Sequence, residues 1–148
     1  MADITIRKGH NIRIAGVPIN EIQKGFSPKS VAIHPTDFKG VKPKLMVEEG
    51  DAIKIGSPLF QSKSNLDITW PSLGAGKVSQ IQYGPRRVIE KISIVLAENE
   101  EVESFKTYRL SDISTLSREK VLATLLSGSI FPFIRQRPYN KVADPNDV

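Results

Sequence analysis

Closely spaced glycine turns between residues 47 and 84 constrain the fold of this chain more than any other sequence feature. Short apolar stretches in this segment are separated by turn signals at residues 50–51, 56–58 and 74–76. The Gly-Asp pair at 50–51 is typical of a tight turn, because glycine accepts a positive φ and aspartate can hydrogen-bond its own backbone. The pattern therefore predicts a small, mainly β fold built from short strands.

Further strand patterns lie on both sides of these turns. Residues 3–17 alternate apolar and polar side chains, which predicts an N-terminal hairpin with one buried face. Its isoleucines would share that face: Ile4, Ile6, Ile12 and Ile14. Residues 66–70 predict a strand that places Leu66, Ile68 and Trp70 together, and residues 88–96 predict the longest strand of the chain.

A helical signal replaces the strand patterns near residue 110. Ser117 is a suitable N-cap, and Gly128 stands where a glycine often ends a helix. The apolar stripe between them consists of Val121, Leu122, Leu125 and Leu126. A second short helix is expected to begin at Pro132. We therefore expect a β-rich domain over residues 1–108 that includes the hairpin, a helical appendage over 109–137, and an extended tail or linker over 138–148.

Composition excludes several classes of protein. The 148 residues include no cysteine, so there is no disulfide framework, thiolate metal site or thiol nucleophile. No apolar run approaches the roughly 20 residues that span a bilayer. The formal charge of +5 is compatible with a basic nucleic-acid-binding barrel, but the Lys and Arg residues are scattered and interrupted by acidic runs. We therefore expect no nucleic-acid partner and keep that barrel as an alternative.

Seven short motifs carry a resemblance to a known family. Two segments, 47–59 and 70–78, resemble the repeated half-motif of biotinyl/lipoyl domains, which implies a barrel-sandwich hybrid. The motifs are Ile6-Arg-Lys-Gly with Ile14-Ala-Gly, Val47-Glu-Glu-Gly-Asp, Leu59-Phe with Lys63, Gly76-Lys-Val, Gly84-Pro-Arg-Arg-Val, Leu116-Ser-Arg-Glu-Lys-Val, and Arg135-Gln-Arg-Pro-Tyr with Lys141-Val. In this order, across nearly the whole chain, they resemble the N-terminal part of the NqrA family, whose members are a subunit of the sodium-translocating NADH:quinone reductase.

The resemblance implies a role within a larger assembly. Family members are about three times longer than this chain, so we expect it to be an N-terminal fragment. The implied complex oxidises NADH, reduces ubiquinone and pumps sodium at the bacterial inner membrane. NqrA would be a peripheral subunit on the cytoplasmic side, docked on the membrane subunit that carries flavin and the quinone site. NADH, FAD, FMN, riboflavin, iron–sulfur centres and ubiquinone would belong to the parent complex, and this part would hold no cofactor.

Lys63 is the one candidate for a modified residue. It precedes Pro71 by eight positions, which is the spacing of the acceptor lysine in the lipoyl domains that this segment resembles. Its neighbours Ser62 and Ser64 differ from the Asp that precedes the lysine in lipoyl domains and from the Met residues that flank it in biotin carriers. We therefore expect Lys63 to be unmodified, and a lipoyl- or biotin-type carrier domain stays open as an alternative.

Catalytic and metal-binding residues are not expected. His10 and His34 are the two histidines, and neither lies at metal-ligand spacing or in a nucleophile motif. The segment 74–77 lacks the hydroxyl residue that would complete a phosphate-binding loop, and a strand pattern follows it. The carboxylates Glu48, Glu49 and Asp51 cluster at a predicted solvated turn, which lacks the apolar pocket typical of a general acid and so indicates surface residues.

Arginine and aromatic residues are the best candidates for a partner interface. Arginine suits such surfaces because its planar fork binds carboxylate and phosphate with two hydrogen bonds. The candidates are Arg86, Arg87, Phe131, Phe133, Arg135 and Arg137. Alternatively, the arginines are surface charges that keep the protein in solution, and the phenylalanines pack in the core. The sequence thus predicts a non-catalytic docking module.

Overall fold

A computed structural model describes residues 5, 8–9, 13–22 and 25–146. Ile4, Ile6 and Ile12 of the predicted N-terminal hairpin lie outside these residues, and the described residues 13–17 contain no strand. The strands are β1 (Ser30–Ile33), β2 (Pro43–Leu45), β3 (Ala52–Ile53), β4 (Pro58–Ser62), β5 (Thr69–Pro71), β6 (Gly76–Tyr83), β7 (Ile89–Leu96), β8 (Arg135–Gln136) and β9 (Lys141–Val142). The helix α1 is Arg118–Ser127, and short 3-10 turns lie at Pro35–Asp37, Pro85–Arg87, Leu110–Thr115 and Phe131–Phe133. The described fold is mainly β, as predicted.

Two antiparallel sheets make up the β domain. The larger sheet has four strands in the order β1-β7-β6-β3, and the smaller one has three in the order β2-β4-β5. The long strands β6 and β7 form a hairpin whose register shifts twice, once between Val78 and Gln80 and once between Gln82 and Tyr83. Such irregularities increase the local twist of a strand pair, which helps a four-stranded sheet to curl around a core.

The core lies between the two sheets and is built around Trp70. The Trp70 ring stacks on Phe60 with centroids 4.8 Å apart, and Phe38 meets it edge-on at 5.3 Å. Leu59 and Phe60 are adjacent in sequence, yet both are fully buried. A register shift in the β4–β5 pairing between Pro58 and Phe60 explains this, because an irregularity there breaks the strict alternation of a strand.

Helix α1 begins at the predicted cap and packs on the same core. The Ser117 hydroxyl accepts a hydrogen bond from the Lys120 backbone N–H. Leu122, Leu125 and Leu126 contact the core, whereas Val121 is exposed at the edge of the stripe. The helical segment is therefore packed directly against the β domain.

The end of α1 differs from its prediction by one residue. Gly128 has an ordinary φ of −80°, and Ser129 adopts the left-handed conformation with φ 53°. The backbone N–H of Ile130 donates to Leu125 O and that of Ser129 donates to Leu126 O, which is the Schellman pattern. Ser129 is buried, and its hydroxyl lies 2.7 Å from the Thr69 hydroxyl. This hydrogen bond ties the helix end to β5.

The C-terminal stretch is more ordered than the sequence predicts. Residues 135–142 form the β8–β9 hairpin, where an extended tail from residue 138 was expected. Ala143 follows β9 and is buried in the core, and its N–H donates to Ile134 O at 3.1 Å. The expected second helix at Pro132 is a single 3-10 turn that buries Phe131 and Pro132. The burial of Ala143, Phe131 and Pro132 depends on contacts with distant parts of the chain, which the local sequence does not indicate.

Candidate functional site

Lys63 is the first residue of the turn that joins β4 to β5. Its backbone N–H donates to Lys42 O at 2.9 Å, and its side chain is exposed. Further along the turn, the Asn65 side chain accepts a hydrogen bond from the Asp67 N–H at 3.1 Å. This local bond holds residues 65–67 in a turn, so Leu66 is exposed and does not share a strand face with Trp70 as predicted. The geometry leaves the Lys63 ammonium accessible to solvent.

Arg86 and Arg87 form the tip of the β6–β7 hairpin. Both have positive φ angles, 56° and 58°, and both side chains are exposed. The Val88 N–H donates to Pro85 O at 3.3 Å across them, which closes a tight turn. The Arg87 guanidinium lies 6.0 Å from the centroid of the Tyr83 ring. Two neighbouring arginines in the left-handed region are unusual, and strain of this kind concentrates at functional surfaces.

The C-terminal candidates divide into buried and exposed residues. Phe131 is 1% exposed and belongs to the core, whereas Phe133 is 55% exposed. Arg135 is half-buried, with its guanidinium 5.2 Å from the centroid of the Phe38 ring. Arg137 is exposed in the turn between β8 and β9. Phe133 and Arg137 are thus accessible to a partner, while Phe131 and Arg135 contact the rest of the domain.

The acidic turn before β3 has a structural role that the sequence analysis missed. The Asp51 carboxylate accepts the Glu48 backbone N–H at 2.8 Å. The Glu49 carboxylate accepts the Ile81 backbone N–H at 2.6 Å, next to an irregularity in the β6–β7 pairing. All three carboxylates are exposed. Glu49 therefore accepts a backbone hydrogen bond from β6. The sequence gives no signal of this contact, because the two segments meet only in the folded protein.

His34 is the one histidine that the structure describes. His34 Nδ1 is 3.1 Å from Glu90 O, and His10 lies outside the described residues. Within the described part of the chain, no group of three or more His, Asp or Glu side chains is arranged to hold a metal ion.

Three surface groups have perturbed pKa values, each through a local contact. The hydrogen bond and charge of Glu101, 3.1 Å away, raise the pKa of Lys54. A hydrogen bond with Thr124 lowers the pKa of Tyr108. The backbone N–H of Glu119 itself lowers the pKa of that carboxyl at the start of α1. None of the three groups lies at the candidate residues above, so these shifts report surface contacts and do not indicate an acid–base site.

A small cavity that the sequence did not predict lies beside the β4–β5 turn. Its walls come from residues 39–41, from the turn itself and from residues 141–144, and Trp70 is among its lining residues. These segments are far apart in sequence, so only the fold brings them together.

Among the described residues, no helix is long and apolar enough to cross a membrane.

Comparison with known proteins identifies the family. A family model described as the NqrA N-terminal barrel-sandwich hybrid domain matches residues 4–97, which confirms the barrel-sandwich hybrid expected from the motifs. The NqrA protein of the Na⁺-translocating NADH-quinone reductase of Pseudomonas aeruginosa (strain UCBPP-PA14) is 37% identical over 142 residues, 96% of this chain. The corresponding proteins of Saccharophagus degradans and Alcanivorax borkumensis are 36% and 35% identical over 145 residues, 98% of this chain.

The match to these relatives covers nearly the whole chain but only part of each relative. The chain spans 32% of the length of each of the three proteins. The match extends past the barrel and through α1 and the β8–β9 hairpin. The chain therefore belongs to the NqrA family of Na⁺-translocating NADH-quinone reductase subunits and contains their N-terminal barrel-sandwich hybrid domain.

Proposed function

We propose that this chain is a non-catalytic docking module of the NqrA subunit in a sodium-pumping NADH:ubiquinone oxidoreductase. The relatives are named as one subunit of that enzyme, so the partners of this module are the other subunits. The module lies at the cytoplasmic side of the bacterial inner membrane and contacts the membrane subunit that reduces quinone. NADH, the flavins, the iron–sulfur centre and ubiquinone are bound by other parts of the complex.

The observation that carries this proposal is the tip of the β6–β7 hairpin. Two exposed guanidinium groups are held there on a tight turn at the end of the longest strand pair. The hydrogen-bonded turn sets the backbone from which both side chains extend, so no loop has to be ordered there on binding, and each guanidinium can form paired hydrogen bonds with a carboxylate. Such a tip fits an acidic patch on a neighbouring subunit.

Exposed Phe133 and Arg137 form a second candidate contact. An exposed apolar ring suits the core of a protein interface, and an exposed guanidinium suits its polar rim. Arg135 is a poor choice for a charge-reversal test, because its guanidinium lies over Phe38 and a carboxylate there would disturb the core. Arg137, which is exposed, allows the same question to be asked without that complication.

A pull-down with the remaining subunits of the complex tests the proposal. The tagged chain should retain the membrane subunit, and Arg86→Glu/Arg87→Glu should reduce that retention at least about tenfold, since reversing two charges at an acidic patch turns attraction into repulsion. Arg137→Glu, alone and combined with Phe133→Ser, tests the second contact. Arg118→Glu is the matched control, because Arg118 is exposed at the start of α1 and lies outside both surfaces.

The proposal fails if none of the subunits is retained by the unaltered chain. It also fails if Arg118→Glu reduces retention as much as the tip variant, because the effect would then reflect net charge alone. Loss only in the Phe133 and Arg137 variants would move the docking surface to the C-terminal hairpin.

A further inference from the structure

An exposed apolar stretch precedes β1. Residues 13–22 and 25–29, which we call the arm, form neither helix nor strand, and all of them are exposed. Five large apolar side chains of the arm have exposed fractions between 71% and 104%: Ile14, Val17, Ile19, Ile22 and Phe26. Soluble domains seldom leave so many neighbouring large apolar side chains in water, so the arm is a candidate contact surface.

The arm makes no close contact with the described barrel. A Cβ added at Gly16 or Gly25 would have no neighbouring heavy atom within 4 Å. None of the arm's side chains belongs to the core that surrounds Trp70. Among the described residues, no backbone hydrogen bond joins the arm to the barrel before Lys29, whose carbonyl oxygen accepts the Leu96 N–H at 3.0 Å. The barrel therefore buries its core without the arm.

The apolar area of the arm matches one side of an interface between domains. A fully buried Val, Leu, Ile or Phe side chain removes roughly 60–120 Å² of apolar area from water, so five of them remove roughly 300–600 Å². Interfaces between domains of one chain bury about 600–1,500 Å² in total, which is about 300–750 Å² on each side. The arm alone can therefore supply one side of such an interface.

The arm belongs to the part of the chain that the family shares. The family model covers residues 4–97, and the matches to the relatives extend over 96–98% of the chain, so both include the arm. The chain spans 32% of each relative, so the larger part of an NqrA protein lies outside the match. Parts of one polypeptide joined by a short linker meet at an effective concentration of about millimolar order, which favours contact between them over contact with a separate molecule.

The backbone of the arm favours a protein surface over a lipid bilayer. Among the described residues, no hydrogen bond pairs the N–H groups of residues 13–22. Lipid offers no partner for such groups, whereas a folded domain does, for example at the edge of a sheet. Residues 13–29 also carry four charges spread along their length, Arg13, Glu21, Lys24 and Lys29, instead of the Lys- and Arg-rich face of a helix that binds a membrane surface.

We propose that the arm docks on the part of the NqrA subunit that lies outside the match to this chain. Val17, Ile19 and Ile22 lie at the middle of the arm and supply the apolar contact, and the backbone of the arm pairs with the surface that receives it. The barrel is thereby anchored to the rest of its own subunit. This inference rests on the part of the proposed function that places the chain in an NqrA subunit, and it does not involve the arginine tip.

Hydrogen–deuterium exchange of peptides from residues 13–22 tests the contact. The measurement compares the isolated chain with the full-length subunit that contains it, purified without any other subunit. Exchange in the arm should be fast in the isolated chain at every concentration. It should be at least about tenfold slower in the full-length subunit, because docking protects backbone N–H groups. Peptides from β6 and β7 should exchange slowly in both samples, which shows that the barrel is folded in each.

Two variants of the full-length subunit locate the contact. Val17→Ser/Ile19→Ser should restore fast exchange in the arm, because it removes two of the apolar side chains that dock. Leu66→Ser/Leu73→Ser is the matched control, since it also replaces two apolar side chains, 53% and 61% exposed, that lie on either side of β5. The control should leave the protection of the arm intact. All four side chains are exposed, so neither variant removes a contact within the barrel core.

Three outcomes would overturn the proposal. Equal exchange of the arm in the isolated chain and in the full-length subunit would show that the subunit does not cover it. Protection that develops in the isolated chain as its concentration rises would assign the arm to a second copy. Protection that requires the other subunits, or vesicles of anionic phospholipid, would assign it to those partners. Loss of retention in the pull-down described above, with the arm still protected in the subunit alone, would refute the docking tip and leave this inference standing.

Discussion

Gly76 and Gly74 provide a matched pair that tests how the barrel closes. Gly76 begins β6 with a φ of +153°, a conformation that L-residues rarely adopt. A Cβ at Gly76 would overlap the Val95 carbonyl oxygen and would come within 3.0 Å of the backbone at Leu96 and Ala97. A Cβ at Gly74 would meet the end of the Leu96 side chain, which can rotate away. The two glycines differ in whether rigid backbone or a mobile side chain opposes the added methyl group.

The expected loss of stability follows from this difference. Gly76→Ala combines an unfavourable φ, at about 1–3 kcal/mol, with a forced shift of packed backbone, at about 1–3 kcal/mol, for a total of about 4 kcal/mol. Gly74→Ala requires a new Leu96 rotamer, at about 1 kcal/mol. Because single domains have only about 5–15 kcal/mol of stability, Gly76→Ala should bring the protein close to unfolding at 37 °C.

Urea unfolding followed by Trp70 fluorescence measures both values. With a urea m-value of about 2 kcal/mol per molar, the midpoint should fall by about 2 M for Gly76→Ala and by about 0.5 M for Gly74→Ala. Equal losses for the two variants, or a smaller loss for Gly76→Ala, would refute the claim that the close backbone approach at Gly76 limits substitution. A change in m for either variant would show that it alters the compactness of the native or unfolded state, or that unfolding is no longer two-state.

Three further predictions concern single side chains. Ser129→Ala should destabilise the domain by about 1–3 kcal/mol, because it leaves the Thr69 hydroxyl without its partner. Ser129→Gly should lose less stability, because glycine relieves the positive φ, and the urea midpoints of the two variants measure the difference. Charged Glu119 stabilises α1, because the pKa of this carboxyl in the folded protein lies below the ordinary 4.5; the stabilisation is present above pH 4.5 and is lost as the pH falls through the lower folded value. The difference in urea midpoint between the unaltered protein and Glu119→Gln should therefore shrink as the pH is lowered over that range. Lys63 should carry no lipoyl or biotinyl group, so intact mass spectrometry of the chain purified from its native cells should find no adduct on the unaltered protein or on Lys63→Arg. An adduct that is present on the unaltered protein and absent from Lys63→Arg would establish a carrier domain.

Local signals in the sequence were sufficient for the two long strands β6 and β7, the Gly-Asp turn and the helix cap. Alternation at residues 77–83 and 88–96 predicts β6 and β7 within a residue at each end. Ser117 caps α1 as predicted, because a side-chain oxygen three residues before a free N–H needs no tertiary context. Gly50 has the positive φ of 96° that its place in a Gly-Asp turn requires. Each of these features depends on neighbours within a few residues.

The errors arise where contacts between distant segments decide the structure. Phe131 and Phe133 are separated by one residue, and the sequence contains no reason to bury one and expose the other. In the 3-10 turn that contains them, the side chains point in different directions, and the contact with the barrel selects Phe131. The β8–β9 hairpin has two residues in each strand, too few for a pattern, and Arg135 over Phe38 together with buried Ala143 holds it in place.

The candidate site also has features that the sequence could predict and features that it could not. Arg86 and Arg87 could be proposed as interface residues from their chemistry alone, since arginine is suited to binding anions. Their left-handed backbone could not be predicted, because the sequence Pro-Arg-Arg-Val contains neither the glycine nor the asparagine that such a turn normally has. The cavity at Trp70 was also hidden, because its walls come from three separate segments.

The strained turn leads to a prediction in which stability and docking change in opposite directions. Both arginines lie in the left-handed region, and Asn-Gly is the sequence that this turn geometry prefers. Arg86→Asn/Arg87→Gly should therefore stabilise the domain by about 1 kcal/mol, measured as a higher urea midpoint. The same variant should lose retention of the partner subunits in the pull-down, because it removes both guanidinium groups while keeping the shape of the turn. A more stable variant that docks normally would show that the arginines are not the contact, and a less stable one would show that the turn is not strained.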